Sequence, residues 1–277
     1  MSRIPRRPAV LVPALIPVVA FALSGCTAAA GPQVEMEHSD RLEALLPPAD
    51  AYPEGYEVDT PPLDEVEQQE STGASFDEVR PTACGEALQE RPEQAPEGAA
   101  EGAFQIAEPD SSDGGTFYIY ALAEGDFSEH DVDTAPIQRV IYDCSTFTAY
   151  LEGEEMTGTT SELSSDGLPE GTDGFTMKLS GAGMQMTTRA AWGEVSGVYY
   201  ALVALTLAED SPRVSPGGSS FECIDEARGE EGRTDYDALT ACTERQEQEA
   251  AVEANQQALE EFERILQAGV ENLEDGA

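Results

Sequence analysis

Lysine is almost missing from this chain: Lys178 is its single instance in 277 residues. Lysine and arginine together number 14 against 55 acidic residues, a formal net charge of −41. A field of that sign repels phosphate backbones and anionic headgroups, which excludes nucleic acid as a partner. Its simplest reading is a solvated acidic surface with loose attraction for cations. Histidine is nearly as scarce, with only His38 and His130. A Ser-His-Asp or Cys-His site would therefore have to use His130. No Gly-x-Ser-x-Gly elbow, phosphate loop or dinucleotide glycine fingerprint is present. His130 lies in Glu129-His130-Asp131-Val132-Asp133, just ahead of a helix start, where solvated capping is a simpler reading than a metal site. The acidic loops Asp110 to Asp113 and Asp166 to Asp173 lack the alternating ligand spacing of an EF-hand. The expectation is no enzyme, no cofactor and no metal centre.

A long hydrophobic run is also lacking. Ala9 to Leu23 is apolar and uncharged, but shorter than the roughly 20 residues of a spanning helix, and Pro13 and Pro17 interrupt it. Arg3, Arg6 and Arg7 precede it and small residues follow, the layout of a secretory signal. The context around Arg6-Arg7 fits twin-arginine export poorly. Leu23-Ser24-Gly25-Cys26 resembles the lipobox of bacterial lipoproteins, whose cysteine takes diacylglycerol and becomes the first mature residue. Each buried methylene contributes about 0.8 kcal/mol; one acyl chain binds marginally and two or more hold stably. The expected product is a palmitate-type lipoprotein on the extracytoplasmic face of the cell membrane, attached to the bilayer through acylated Cys26. Its charge would be −44 once the three signal arginines are removed.

Five cysteines are present. With Cys26 acylated, Cys84, Cys144, Cys223 and Cys242 remain, and an even number in an exported chain implies disulfides. Three pairings are possible, with Cys84–Cys144 and Cys223–Cys242 preferred.

Residues 26–37 read as a lipidated tether and 38–277 as one domain, with a flexible insertion over 209–233 and a helix over 234–273. Ser39 starts a short helix with Leu42, Leu45 and Leu46 on one face, stopped at Pro47, and Tyr56 to Val58 is extended. Thr82 caps a helix that puts Cys84, Ala87 and Leu88 on one side. Glu90 to Glu101 reads as a connector. Ala103 to Ala107 and Thr116 to Leu122 read as strands, the second central because both of its faces are apolar. Thr134 and Pro136 open a helix carrying Ile137, Val140, Ile141 and Cys144 at i, i+3, i+4 and i+7. Both Cys84 and Cys144 thus fall on buried helical faces and can meet inside the domain.

Beyond Cys144 the period changes to that of strands: Phe147 to Leu151, Met156 to Leu163, Phe175 to Leu179, Met184 to Trp192 and Val198 to Leu207, a meander. Met184, Met186, Thr188, Ala190 and Trp192 share one face. Gln185, Thr187 and Arg189 take the other, which is expected to be wet. Gly193 to Gly197 is the turn. Phe221 to Gly232 reads as irregular, and Thr234 to Asp237 as a capping box for the last helix. That helix carries an early stripe of Tyr236, Leu239 and Cys242 and a later one of Leu259, Phe262, Leu266, Val270 and Leu273. The polar Glu244 to Glu249 between them is expected to be solvated.

Leu45-Leu46-Pro47-Pro48-Ala49-Asp50 before Gly55-Tyr56, Pro81-Thr82-Ala83-Cys84, and Ile141-Tyr142-Asp143-Cys144 followed by an aromatic strand carry a resemblance. The chain resembles actinobacterial lipoproteins of the sensor-domain type, the extracellular PknH-like sensor domains. The resemblance spans about Leu42 to Leu273. It implies an α+β fold with a mostly antiparallel sheet, helices packed on one face, a cleft and a long C-terminal helix. It also implies a Cys84–Cys144 disulfide and no catalytic residues. Ser211 to Arg233 reads as an insertion in that layout and contains Cys223. The leading expectation is a non-enzymatic, sensor-like domain that binds an unknown small molecule or envelope protein. The alternative is a lipid or glycolipid carrier with a cavity between sheet and terminal helix, lined by Met184, Met186, Trp192 and Phe262.

Overall fold

The computed structural model describes residues 37–62, 76–89, 99–110, 115–125, 135–151, 153–164, 166–181, 183–209, 221–228 and 234–276. The signal stretch, Cys26, His130, the tether up to residue 36 and the loop over 211–220 lie outside them. The described chain runs β1 (Glu37–His38), α1 (Asp40–Glu43), a 3-10 turn (Ala49–Ala51), β2 (Tyr56–Asp59), β3 (Glu78–Arg80) and α2 (Thr82–Gln89). Then come β4 (Ala99–Pro109), β5 (Gly115–Gly125), α3 (Ala135–Asp143), β6 (Phe147–Leu151), β7 (Glu154–Glu162) and β8 (Asp173–Gly181). It closes with β9 (Met184–Val195), β10 (Val198–Glu209), α4 (Phe221–Glu226) and α5 (Tyr236–Gly276).

All ten strands join one sheet in the order β1-β4-β5-β10-β9-β8-β7-β6-β3, with β2 also on β4. Every pairing is antiparallel except that of β1 with β4. The fold is α+β, with a mostly antiparallel sheet and a long C-terminal helix. β9 and β10 are joined through Ser196 and Gly197, both at positive φ (54° and 83°), the backbone that lets a two-residue hairpin follow the strand twist.

Helices lie on both faces of the sheet. On the first face Met156, Met177, Leu179, Met186, Trp192, Val203 and Leu205 form one core with Cys84 and Ala87 of α2 and Val140 and Cys144 at α3. On the second face Tyr118, Tyr120, Leu122, Ala191, Tyr200, Leu202 and Ala204 form another. It packs against Leu42 and Leu46 near α1 and against Phe262, Ile265, Leu266, Val270 and Leu273 of α5. This double cover explains why β5 and β10 are apolar on alternate and intervening positions alike. Only the C-terminal half of α5 packs this way. In the polar stretch expected to be solvated, Glu244, Arg245, Gln248 and Glu249 are exposed and Gln246 is half-buried, and the exposure continues through residue 257.

Several local readings change. The side of β9 bearing Arg189 is not wet at that residue: Arg189 is 3 % exposed, beneath α5. A two-residue period reports the face of a strand, but not which distant helix will cover it. Ala99 to Glu101, read as the end of a connector, belongs to β4, because β1 and β5 pair with this part of the strand on either side. Gly193 to Val195 continues β9. Phe221–Glu226 is helical, held to α5 by a disulfide. The α5 cap is Asp235, whose Oδ1 accepts the backbone N–H groups of Asp237 and Ala238 (3.0 and 3.2 Å). Pro81 rather than Thr82 caps α2, its carbonyl accepting the Gly85 N–H (3.2 Å). Tyr236 is 77 % exposed and takes no part in a buried stripe. Glu37 is already part of the sheet, paired with Glu101.

Candidate functional site

Four of the five cysteines are bonded. Cys84 joins Cys144, with Cα atoms 4.8 Å apart, and ties α2 to the end of α3 inside the first core. Cys223 joins Cys242, with Cα atoms 5.5 Å apart, and ties α4 to the outer half of α5. Arg245 Nη2 donates to Glu226 Oε2 (2.8 Å) beside that second bond. Cys26 lies outside the described residues.

Met184, Met186, Trp192 and Phe262 do not line a common cavity. Met186 and Trp192 belong to the first core, where the Trp192 ring lies 6.2 Å from that of Phe175. Phe262 is fully buried in the second core. The sheet stands between them, because even-numbered residues of β9 face away from α5. The carrier reading loses its proposed lining for this reason.

The first face is not wholly covered. Ile106, Phe117, Tyr199, Ala201 and Leu207 remain half-buried along β4, β5 and β10. Trp192 Nε1 and the Thr188 and Thr160 hydroxyls are buried on this face without a hydrogen-bond partner.

The second face holds a polar interior under α5. Tyr52 donates its hydroxyl to Gln105 Oε1 (2.7 Å), and Tyr118 donates to Glu261 Oε2 (3.3 Å). The Tyr56 hydroxyl accepts the Thr116 N–H (3.2 Å). Tyr120 Oη is buried and unpartnered. Burial raises the pKa of Tyr52, Tyr118 and Tyr120 above the usual tyrosine value; at Tyr118 the carboxylate of Glu261 adds to the effect.

Arg189 is the group that sequence reading placed wrongly. Its Nη2 donates to Asn255 Oδ1 (2.6 Å) and to the Asn255 carbonyl (3.2 Å), while Nη1 is buried without a partner. Desolvation lowers its pKa, opposed by Tyr118. Its burial depends on α5, 66 residues further along, and so leaves no mark in the local pattern.

Among the described residues, one group of metal-ligating side chains comes together: His38, Asp40 and Glu43, with ligand atoms within 4.8 Å of one another. His38 Nε2 lies 3.0 Å from Glu43 Oε2, and the Thr60 hydroxyl donates to Glu43 Oε1 (3.3 Å). Asp40 Oδ1 lies farther off, 3.8 Å from His38 Nε2. The acids of the 166–173 loop are exposed and form no such group.

No protein-family description matches the chain, and no curated protein matches it. Its backbone is similar in part to the crystal structure of the extracellular domain of PknH from Mycobacterium tuberculosis, with a TM-score of 0.38 and 17% sequence identity over 63% of this chain and 89% of that one.

Proposed function

We propose that this chain is a lipid-anchored, extracytoplasmic and non-enzymatic protein whose α+β domain binds a small molecule or an envelope protein in the manner of a sensor domain. The observation that carries the reading is the cysteine pattern. All four cysteines after Cys26 are paired within the fold, which leaves Cys26, at the end of the signal-like stretch, as the one available for acylation. Disulfides persist in oxidising compartments outside the cytoplasm. No helix among the described residues is long and apolar enough to cross a membrane; in this reading two or more acyl chains on Cys26 hold the protein at the bilayer.

Intact mass of the membrane-extracted protein under non-reducing conditions tests this. The expected mass is that of residues 26–277 plus the acyl groups, with no thiol open to alkylation. A chain retaining residues 1–25, or a Cys26→Ser variant that stays on the membrane and is processed as before, would overturn it.

A further inference from the structure

Arg189 and Lys178 are neighbours on the second sheet face. Lys178 of β8 is in register with Thr187 of β9, and Thr176 of β8 with Arg189. These four side chains occupy a square, and diagonal positions of an antiparallel pair lie about 7–8 Å apart. The single lysine of the chain and the buried Arg189 thus sit corner to corner. Lys178 is exposed, Thr176 and Thr187 are half-buried, and Arg189 is at the covered corner where α5 crosses the sheet.

No carboxylate among the described residues pairs with either charge. The square is bordered in register by Thr159 and Ser161 of β7 and by Ala204 and Thr206 of β10, with Thr157 and Ser180 next along the strands. In a chain with 55 acidic residues of 277, the strand positions around the square carry no acid: they are hydroxyl side chains apart from Ala204 and Gln185. Burying a guanidinium without a counter-charge is costly unless its remaining donors are met, and Arg189 Nη1 is not met.

We propose that Arg189, Lys178, Thr176 and Thr187 form a seat for one compact anionic group of a small molecule: a carboxylate, a phosphate or a sulfate. Such a group gives Nη1 its partner, meets the Lys178 ammonium as a point charge, and accepts from the two hydroxyls. It enters from the Lys178 side, where the face is open. The acidic remainder of the molecule does not forbid this, because repulsion from exposed charges beyond about 8 Å is screened at physiological salt. It does select against polyanions, which would extend past the seat. The inference deepens the ligand-binding part of the proposed function and rests on it, but not on the lipid anchor.

The test is calorimetric titration of the full chain in detergent with inorganic phosphate, sulfate and acetate, each at fixed ionic strength. Saturable one-to-one binding of at least one anion is expected, and the preferred one distinguishes the three headgroup chemistries. Lys178→Gln, at an exposed site, is expected to weaken it at least tenfold with no change in the anion-free melting temperature. Thr187→Val weakens it too, and Thr157→Val leaves it unchanged. Absence of saturable binding, or Lys178→Gln binding as tightly as the native chain, overturns the seat. Acyl mass at Cys26 is read separately, so failure here is distinct from failure of the anchor.

Discussion

The hydroxyl of Tyr120 lies against the backbone of Gly269, with no room for a methyl group between them. Glycine in a helix interior costs about 1 kcal/mol relative to alanine, so its use here is explained by the close approach of α5 to β5. Gly269→Ala is expected to lower stability by about 1–3 kcal/mol through overpacking, despite the gain in helix propensity. Tyr120→Phe in the same chain removes the unpartnered hydroxyl but keeps the ring carbons that also crowd Gly269, so it should restore only part of the loss. Urea midpoints of the single and double variants check both.

Arg189 and Asn255 predict an asymmetry. Asn255→Ala removes the side-chain acceptor of a buried cation, and a lost bond of that kind costs about 1–3 kcal/mol. Arg189→Met replaces the cation with an apolar side chain and is expected to be close to neutral or stabilising. Equal losses in the two variants, measured by urea denaturation, would show that Arg189 is already satisfied.

The tyrosines under α5 set an alkaline limit. Their pKa values are raised in the folded state, so above the usual value of about 10 the unfolded chain releases protons that the folded chain keeps. The native state then binds more protons, and stability falls as pH rises. Urea midpoints are expected to drop from pH 9 to pH 11, and less steeply in Tyr118→Phe.

The two disulfides should differ in reach. Cys84–Cys144 spans 60 residues and Cys223–Cys242 spans 19, worth about 4 and about 3 kcal/mol in the chain-entropy model. The first joins elements of a core, so replacing both of its cysteines by serine lowers the main thermal transition. The second joins α4 only to the exposed half of α5. Its removal should leave that transition nearly unmoved while amide exchange quickens over residues 236–250.

Much of the sheet was legible because its signal is local. Phe147 to Leu151 alternates and is a strand with those bounds, and Val140 and Cys144 fall four apart and are both buried. Ala99 to Gly102, made of small and acidic residues, has no strand pattern of its own and is extended only because β1 and β5 flank it. Arg189 is the clearer case. Gln185, Thr187 and Arg189 look alike as a polar face, but only the last is buried, against Asn255 of α5. The candidate seat was illegible for the same reason, since β8–β9 register and a distant helix jointly define it.

The start of the domain is clasped from above. Leu42 and Leu46 lie beneath the last turns of α5, and Asn272 donates its Nδ2 to the Leu46 carbonyl (2.9 Å). If Cys26 is acylated as proposed, a force drawn through the N-terminal side of the domain would first meet the two residue pairs of β1 with β4, a weak latch, and then this clasp. The molecule would therefore give way in stages under load, surrendering β1 while the sheet and its helices stay whole.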